Sequence, residues 1–258
     1  LTDTTATIIT STRIRRSVTT TVSTMTPSEQ DIRSAALQKL LAWLSPAFPV
    51  GAYTYSHGLE WAIEDGTVTS AATLQDWIAA VLRHGAGRSD AILFSHAWRA
   101  VGAGDLDALV SLSALATAFQ PSRERHLEAT AQGRAFLLAV TSAWPNDRLA
   151  AVAAAIGERD VAYSVAVGAA AAAHDVPLGP ALTAFLSAFV ASLASVGVRA
   201  IPVGQTDGQR TIAALAPVVV DVAAIAVSQS LDDLGGAAFR ADVASMKHET
   251  QYTRLFRS

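Results

Sequence analysis

Apolar residues along this chain recur three and four positions apart, not in alternation. Ile32, Ala36, Leu37, Leu40, Leu41 and Leu44 keep that spacing up to Ser45-Pro46, which predicts a helix closed by the proline. Upstream, Thr26-Pro27-Ser28-Glu29 offers a capping threonine, a proline at the first helical position and a following glutamate as its start. Ser56 to Asp65 predicts a short helix stopped by Gly66. Thr73 with Asp76 predicts the cap of another, carrying Leu74, Trp77, Ile78, Val81 and Leu82 on one face. Ser89 opens a further helix with Ile92, Leu93, His96 and Trp98, ended by Gly102-Ala103-Gly104. Residues 105–119, 121–144, 147–156 and 159–174 read as four more. After Pro177 a long helix places Leu182, Phe185, Leu186, Phe189, Val190 and Leu193 on one stripe. It breaks at Ile201-Pro202-Val203-Gly204. Gln205 to about Gln229 resumes as helix, with Pro217 as a kink or boundary. No alternating strand, hairpin or repeat of fixed period stands out. The expected fold is all-α, a single compact multi-helix domain of about ten helices over residues 26–258.

Two segments raise a membrane question. From Val176 to Val198 the chain carries no charge, a run long enough to cross a bilayer. Thr183, Ser187, Ser192 and Ser195 interrupt it, its apolar residues form a stripe, and no Trp or Tyr marks its ends. A buried helix is therefore expected. A helical membrane or membrane-surface protein built on 161–198 and 211–227 is the alternative.

Composition sharpens this picture. The chain has 258 residues, of which 51% are hydrophobic and 16% charged, enough apolar material for a large core. Abundant alanine favours helix. A net charge of −3 gives no electrostatic case for nucleic-acid binding. The chain has no cysteine; disulfides and thiolate metal sites are excluded, which fits a reducing, cytoplasmic setting. Residues 1–24 stand apart, with ten threonines, three serines and three arginines. That composition reads as a disordered extension or a mis-assigned start, with Met25 as the true first residue, or as an organelle leader.

Three stretches carry candidate chemistry. The first is Ser45 to Glu60. Pro46 and Pro49 remove backbone donors, Gly51 and Gly58 free the backbone, and Phe48, Tyr53 and Tyr55 have no helical register. Such a loop is either a connector filling a gap in the core or a rigid recognition loop. His57 and Glu60 stand one helical face apart, so His57 is a weak candidate metal ligand and the pair would suit a helical metalloenzyme. A catalytic metal usually takes three protein ligands, and no Glu-x-x-His pair repeats elsewhere as a di-iron bundle needs. No phosphate-binding glycine loop, nucleophile elbow or dinucleotide fingerprint is present, so an enzyme is not expected.

The second stretch, Val198 to Arg210, sets Arg199 before Pro202-Val203-Gly204 and follows with Gln205 and Gln209, placing polar groups at a helix start. The third, Ser245 to Ser258, combines His248, Glu249, Tyr252, Arg254, Leu255, Phe256 and Arg257. Tyr252, Leu255 and Phe256 do not continue the stripe of residues 241–246. They are expected to be free of the chain's own core and to dock on a partner, since rings and arginine dominate interface hot spots.

In order and wording, these stretches resemble the urease accessory protein family UreF. They are Pro46-Ala-Phe-Pro49-Val-Gly51-Ala-Tyr53-Thr-Tyr55-Ser56-His57-Gly58-Leu-Glu60 followed by Glu64-Asp65-Gly66-Thr67-Val68, then Arg199-x-x-Pro202-x-Gly204-Gln205 with Gln209, and the closing His248-Glu249-Thr-x-Tyr252-x-Arg254-Leu255-Phe256-x-Ser258. The resemblance covers about residues 28–258. Ala47-Phe48 and Ala52-Tyr53 stand where many members have Ala-Leu and Gly-Phe, which keeps the apolar and aromatic character. The resemblance implies an all-α homodimer that docks a UreD/UreH-type accessory protein and recruits the nickel-carrying GTPase UreG. That complex delivers Ni²⁺ to apo-urease, whose active-site lysine must be carbamylated. It further implies a part in regulating GTP hydrolysis and in a nickel passage, with nickel handled by the complex and no tightly bound cofactor. The implied partner-binding residues are Pro49, Gly51, Tyr53, Tyr55, Ser56, Gly58 and Glu60, then Arg199, Pro202, Gln205 and Gln209, and in the tail His248, Glu249, Tyr252, Arg254, Leu255 and Phe256.

Overall fold

The computed structural model describes residues 29–258, with side chains from Arg33 onward. The N-terminal extension and the start signal Thr26-Pro27-Ser28 lie outside the described residues. The chain runs through α1 (Glu29–Trp43), a 3-10 turn (Ala52–Thr54), α2 (Leu59–Glu64), α3 (Ala71–His84), α4 (Ala86–Ala103) and α5 (Leu106–Ala118). It continues with α6 (Arg123–Ala143), α7 (Asp147–Ile156), α8 (Tyr163–Ala173), α9 (Leu178–Ala200) and α10 (Gln205–Ala226), then a second 3-10 turn (Leu231–Asp233) and α11 (Phe239–His248). No strand occurs among the described residues.

The bundle is organised around α8. Ser164 to Ala173 are all buried, so this helix has no polar face and reads as a run of alanine. Small side chains let its neighbours approach closely, and α8 packs most heavily on α4 and α6. At the α4 crossing a Cβ on Gly168 would lie 2.5 Å from the carbonyl oxygen of Phe94, so glycine is required there. Of the predicted stripe of α9, Leu182, Phe185, Leu186, Val190 and Leu193 are buried, while Phe189 is half-buried at the edge of the core. Helices α9 and α10 both have the length and apolarity of a membrane span. They pack on each other, on α3 and on α4.

Helix starts differ from the sequence expectation where backbone chemistry outweighs periodicity. Ser70, not Thr73, caps α3: its hydroxyl accepts from Thr73 N at 3.3 Å while Thr73 Oγ1 accepts from Ser70 N at 3.0 Å. This reciprocal pair is a capping box with threonine in the glutamate role. Helix α2 begins at Leu59 and not Ser56, because His57 and Gly58 both have positive φ, 59° and 77°. Pro217 lies inside an uninterrupted α10. On α1, Ala36, Leu40 and Trp43 are buried, whereas Leu37 and Leu41 of the same predicted stripe are 57% and 67% exposed.

Candidate functional site

The loop between α1 and α2 is built by its glycines. Gly51, at φ 72°, turns the chain into the 3-10 turn, and Tyr55 leaves it extended. Gly58 then sits so close to α11 that a Cβ would lie 2.8 Å from Ser245 N. Positive φ and close contact together demand glycine at that position. The loop's own turns supply backbone bonds such as Phe48 N to Ser45 O and Thr54 N to Gly51 O, and the tail after α11 adds others. Arg257 N donates to Thr54 O at 2.8 Å, and Ser56 N donates to Ser258 O at 2.8 Å. The Ser56 hydroxyl donates to the same carbonyl.

Arg199, at the end of α9, joins the second stretch to this pair. Its guanidinium carbon lies 3.7 Å from the ring centre of Tyr53 and 4.4 Å from that of Phe256. Nη1 donates to Tyr53 O at 2.8 Å and Nε donates to Ser195 O at 3.1 Å. One cation between two rings thus ties α9, loop and tail together.

Three carboxylates lie beneath. Glu60, on α2, accepts from Leu255 N at 2.6 Å, Phe256 N at 3.1 Å and His248 Nε2 at 2.8 Å. Glu124, on α6, faces His248 Nδ1 at 2.5 Å and Arg254 Nη1 at 2.7 Å. One turn on, Glu128 pairs with Arg125 Nη1 at 2.6 Å and accepts from the Ser258 hydroxyl at 2.7 Å. His57 Nδ1 faces it at 3.4 Å. Burial raises the Glu128 carboxyl, but Arg125, His57 and Ser258 outweigh it and hold the group well below the ordinary carboxylate range. Burial, with Arg125 nearby, pushes the His57 imidazole down to about 4. Burial raises Asp90, opposed by Arg125 and by the Ser164 hydroxyl, which donates to it at 2.9 Å.

His57, Asp90 and Arg125 form a shared wall between two cavities. One, of about 200 Å³, lies under the loop against Tyr163, Phe185 and Phe189. The other, of about 130 Å³, opens between α3, α4 and α11 near Gly85 and Asp242. Among the described residues no group of three or more His, Asp or Glu is arranged to hold a metal ion. His57 and Glu60 do not converge as a ligand pair: the imidazole faces Glu128 and Phe189, and the carboxylate faces the tail.

Most of the sequence-selected residues are brought together. Tyr55, Ser56, Glu60, His248 and Phe256 are buried in the junction, while Tyr53, Tyr252 and Leu255 stand at its surface. Glu249 is held separately, accepting from Arg123 N at 2.8 Å at the start of α6. Pro49, Pro202, Gln205 and Gln209 are exposed, the glutamines on the first turns of α10. The tail is the correction. It does not hang free: Phe256 is only 4% exposed and Ser258 is buried, whereas Tyr252 is fully exposed and Leu255 is 74% exposed. Helical periodicity could not show this, because backbone hydrogen bonds to Glu60 fix the tail and not a stripe. Glu124, Arg125, Glu128 and Asp90 were not singled out from the sequence. The available signal was Arg123-Glu-Arg-His-x-Glu128, a dense charged run in a chain poor in charge, with two carboxylates one helical turn apart.

Comparison with known proteins gives a consistent result. The UreF family model matches residues 68–216. A urease accessory protein UreF of Rhodopseudomonas palustris (strain BisB18) is 57% identical over 243 residues, covering 92% of this chain and 100% of the relative. The same-named protein of strain BisB5 is 55% identical over 227 residues, 88% of this chain and 93% of its own length. One from Bradyrhizobium sp. (strain BTAi1) is 50% identical over 243 residues, 91% of this chain and 100% of the relative.

Proposed function

The chain belongs to the UreF family of urease accessory proteins, and on that premise we propose that it acts as a docking scaffold in assembly of the urease nickel centre. Its partners are a UreD/UreH-type accessory protein, a UreG-type GTPase whose hydrolysis of GTP it regulates, and apo-urease. Nickel is the cargo of this complex. The observation that supports the reading is the convergence of loop, α9 end and tail at Arg199. Tyr53 and Arg199, 146 residues apart in sequence, meet there, and Tyr53, Tyr252 and Leu255 are exposed. A surface of exposed rings and leucine rimmed by arginine suits protein docking.

Arg199 serves this surface by shaping it. Its Nε and Nη1 hydrogen bonds and both ring faces commit the guanidinium to its own chain, which disfavours a role as a finger reaching a partner's nucleotide. Pairing of two copies is supported by the outer face of α10. Ala213, Ala216, Pro217, Val220, Ala224 and Ile225 are exposed there, with Asp221 the charged residue among them. We place this assembly in the cytoplasm. The test is co-purification with the two accessory partners, together with urease activation in cells lacking the native UreF.

A further inference from the structure

We infer that the cavity under the loop is a binding site for a small uncharged carbonyl compound with an apolar body, an amide or ketone of the size of benzamide. This goes beyond the docking reading and does not rest on it, although Tyr53 and Arg199 also border the cavity. Unused donors point to such a guest. Arg125 is only 4% exposed and lines the cavity, and a guanidinium only donates. Nη1 lies 2.6 Å from Glu128, an ion pair without hydrogen-bond alignment, and Nε and Nη1 are both buried with no hydrogen-bond partner. Buried donors in that state are costly, and each calls for an explanation, a bound molecule among them. Tyr163 lines the same cavity, and its hydroxyl has no partner among the described residues. Burial holds that phenol well above its ordinary range, so it stays a donor at neutral pH.

Charge and shape decide the class of guest. Glu128 already matches the charge of Arg125. Arg199 is committed to two carbonyl oxygens and two rings. His57, pushed down to about 4, is uncharged at neutral pH, and Asp90 adds a further carboxyl, raised by burial. A carboxylate guest would bring more negative charge into a buried site whose arginines are engaged, so its desolvation would go uncompensated. A cationic guest would face Arg125. A carbonyl oxygen supplies an acceptor without charge. The other walls include Val50, Phe185, Phe189 and Leu193, so the rest of the molecule is apolar. The volume is about 200 Å³. An apolar cavity of about 150 Å³ takes benzene, which leaves room here for one ring and a carbonyl group.

Benzamide, benzoate and toluene separate these chemistries. Followed by amide NMR on the full chain, benzamide is expected to shift the Tyr163, Phe185 and Phe189 signals saturably, with a Kd below about 1 mM. Benzoate has the same shape but is charged, and toluene lacks the acceptor; both are expected to bind about 10-fold more weakly. Tyr163→Phe keeps the ring and removes one donor. Arg125→Lys keeps the charge and removes the planar fork. Each variant is expected to bind benzamide about 3–10-fold more weakly, with its circular dichroism unchanged. Absence of saturable shifts at the cavity with benzamide overturns the inference. So does benzoate or toluene binding as tightly as benzamide, and so does undiminished binding by Tyr163→Phe. If Arg125→Lys fails to fold, Tyr163→Phe and the three probes still decide the matter. None of these readings needs a partner protein, so failure of the docking proposal leaves this test intact.

Discussion

Replacing His57 by asparagine isolates the cost of burying an imidazole beside an arginine. Asparagine tolerates the positive φ of 59° at this position better than most residues, and its amide can donate to Glu128 as His57 Nδ1 does. The imidazole is 6% exposed, and burial first, then Arg125, lowers it from 6.5 to about 4. The unfolded chain therefore binds a proton near pH 6.5, while the folded chain refuses it until about pH 4. Between those values acid favours the unfolded state. At about 1.4 kcal/mol per pH unit, the window is worth about 3 kcal/mol of stability, present in full above pH 6.5 and lost by about pH 4. Urea unfolding followed by circular dichroism across pH 4.5–7.5 reads this directly. His57→Asn should flatten the stability curve over that window. Glu128, whose carboxyl is held low, continues to cost stability only in stronger acid. Curves for wild type and variant that run parallel from pH 6.5 downward would refute the assignment of His57 as a buried neutral group.

Other outcomes follow from the same contacts. Gly58→Ala forces a Cβ to 2.8 Å from Ser245 N at φ 77° and is expected to destabilise by about 3 kcal/mol in urea titration; a change under 1 kcal/mol would show that α2 and α11 give way easily. Arg199→Ala removes the link between Tyr53 and Phe256 and should cost about 1–2 kcal/mol while lowering urease activation in cells much more, so normal activation would mark the contact as purely structural. A chain ending at Thr250 loses the buried Phe256 ring and the Ser258 bond to Glu128. It is expected to melt about 10 °C lower and to lose partner capture; an unchanged Tm would mean that the tail contributes nothing to its own core.

The helices were largely legible because elements such as α3 and α9 bury one face, and burial imposes a period near 3.6 on the sequence. Helix α8 was legible for the opposite reason: its alanines have no stripe, and composition alone marks it. The starts of α2 and α3 were misplaced. A positive φ at His57 and a threonine acting in the glutamate position of a capping box leave no periodic trace. The site was half legible. Loop, Arg199 and tail are each unusual in composition, so each drew attention separately. That they meet at one guanidinium depends on contacts such as Arg199 to Tyr53 and Glu60 to Leu255 N, which no local pattern encodes. The same gap explains the tail. Its rings fall off the α11 stripe, which suggested a free segment, whereas carboxylates from α2 and α6 draw it back onto the body.

The account rests on loop, Arg199 and tail forming one docking surface. The most direct measurement is co-purification of the chain and its Glu60→Gln and Arg199→Ala variants with the UreD/UreH-type and UreG-type partners, alongside their circular dichroism spectra. The account predicts that all three proteins keep their helical content, that the unsubstituted chain brings down both partners, and that each variant brings down markedly less. Full capture by both variants at unchanged helicity would contradict it.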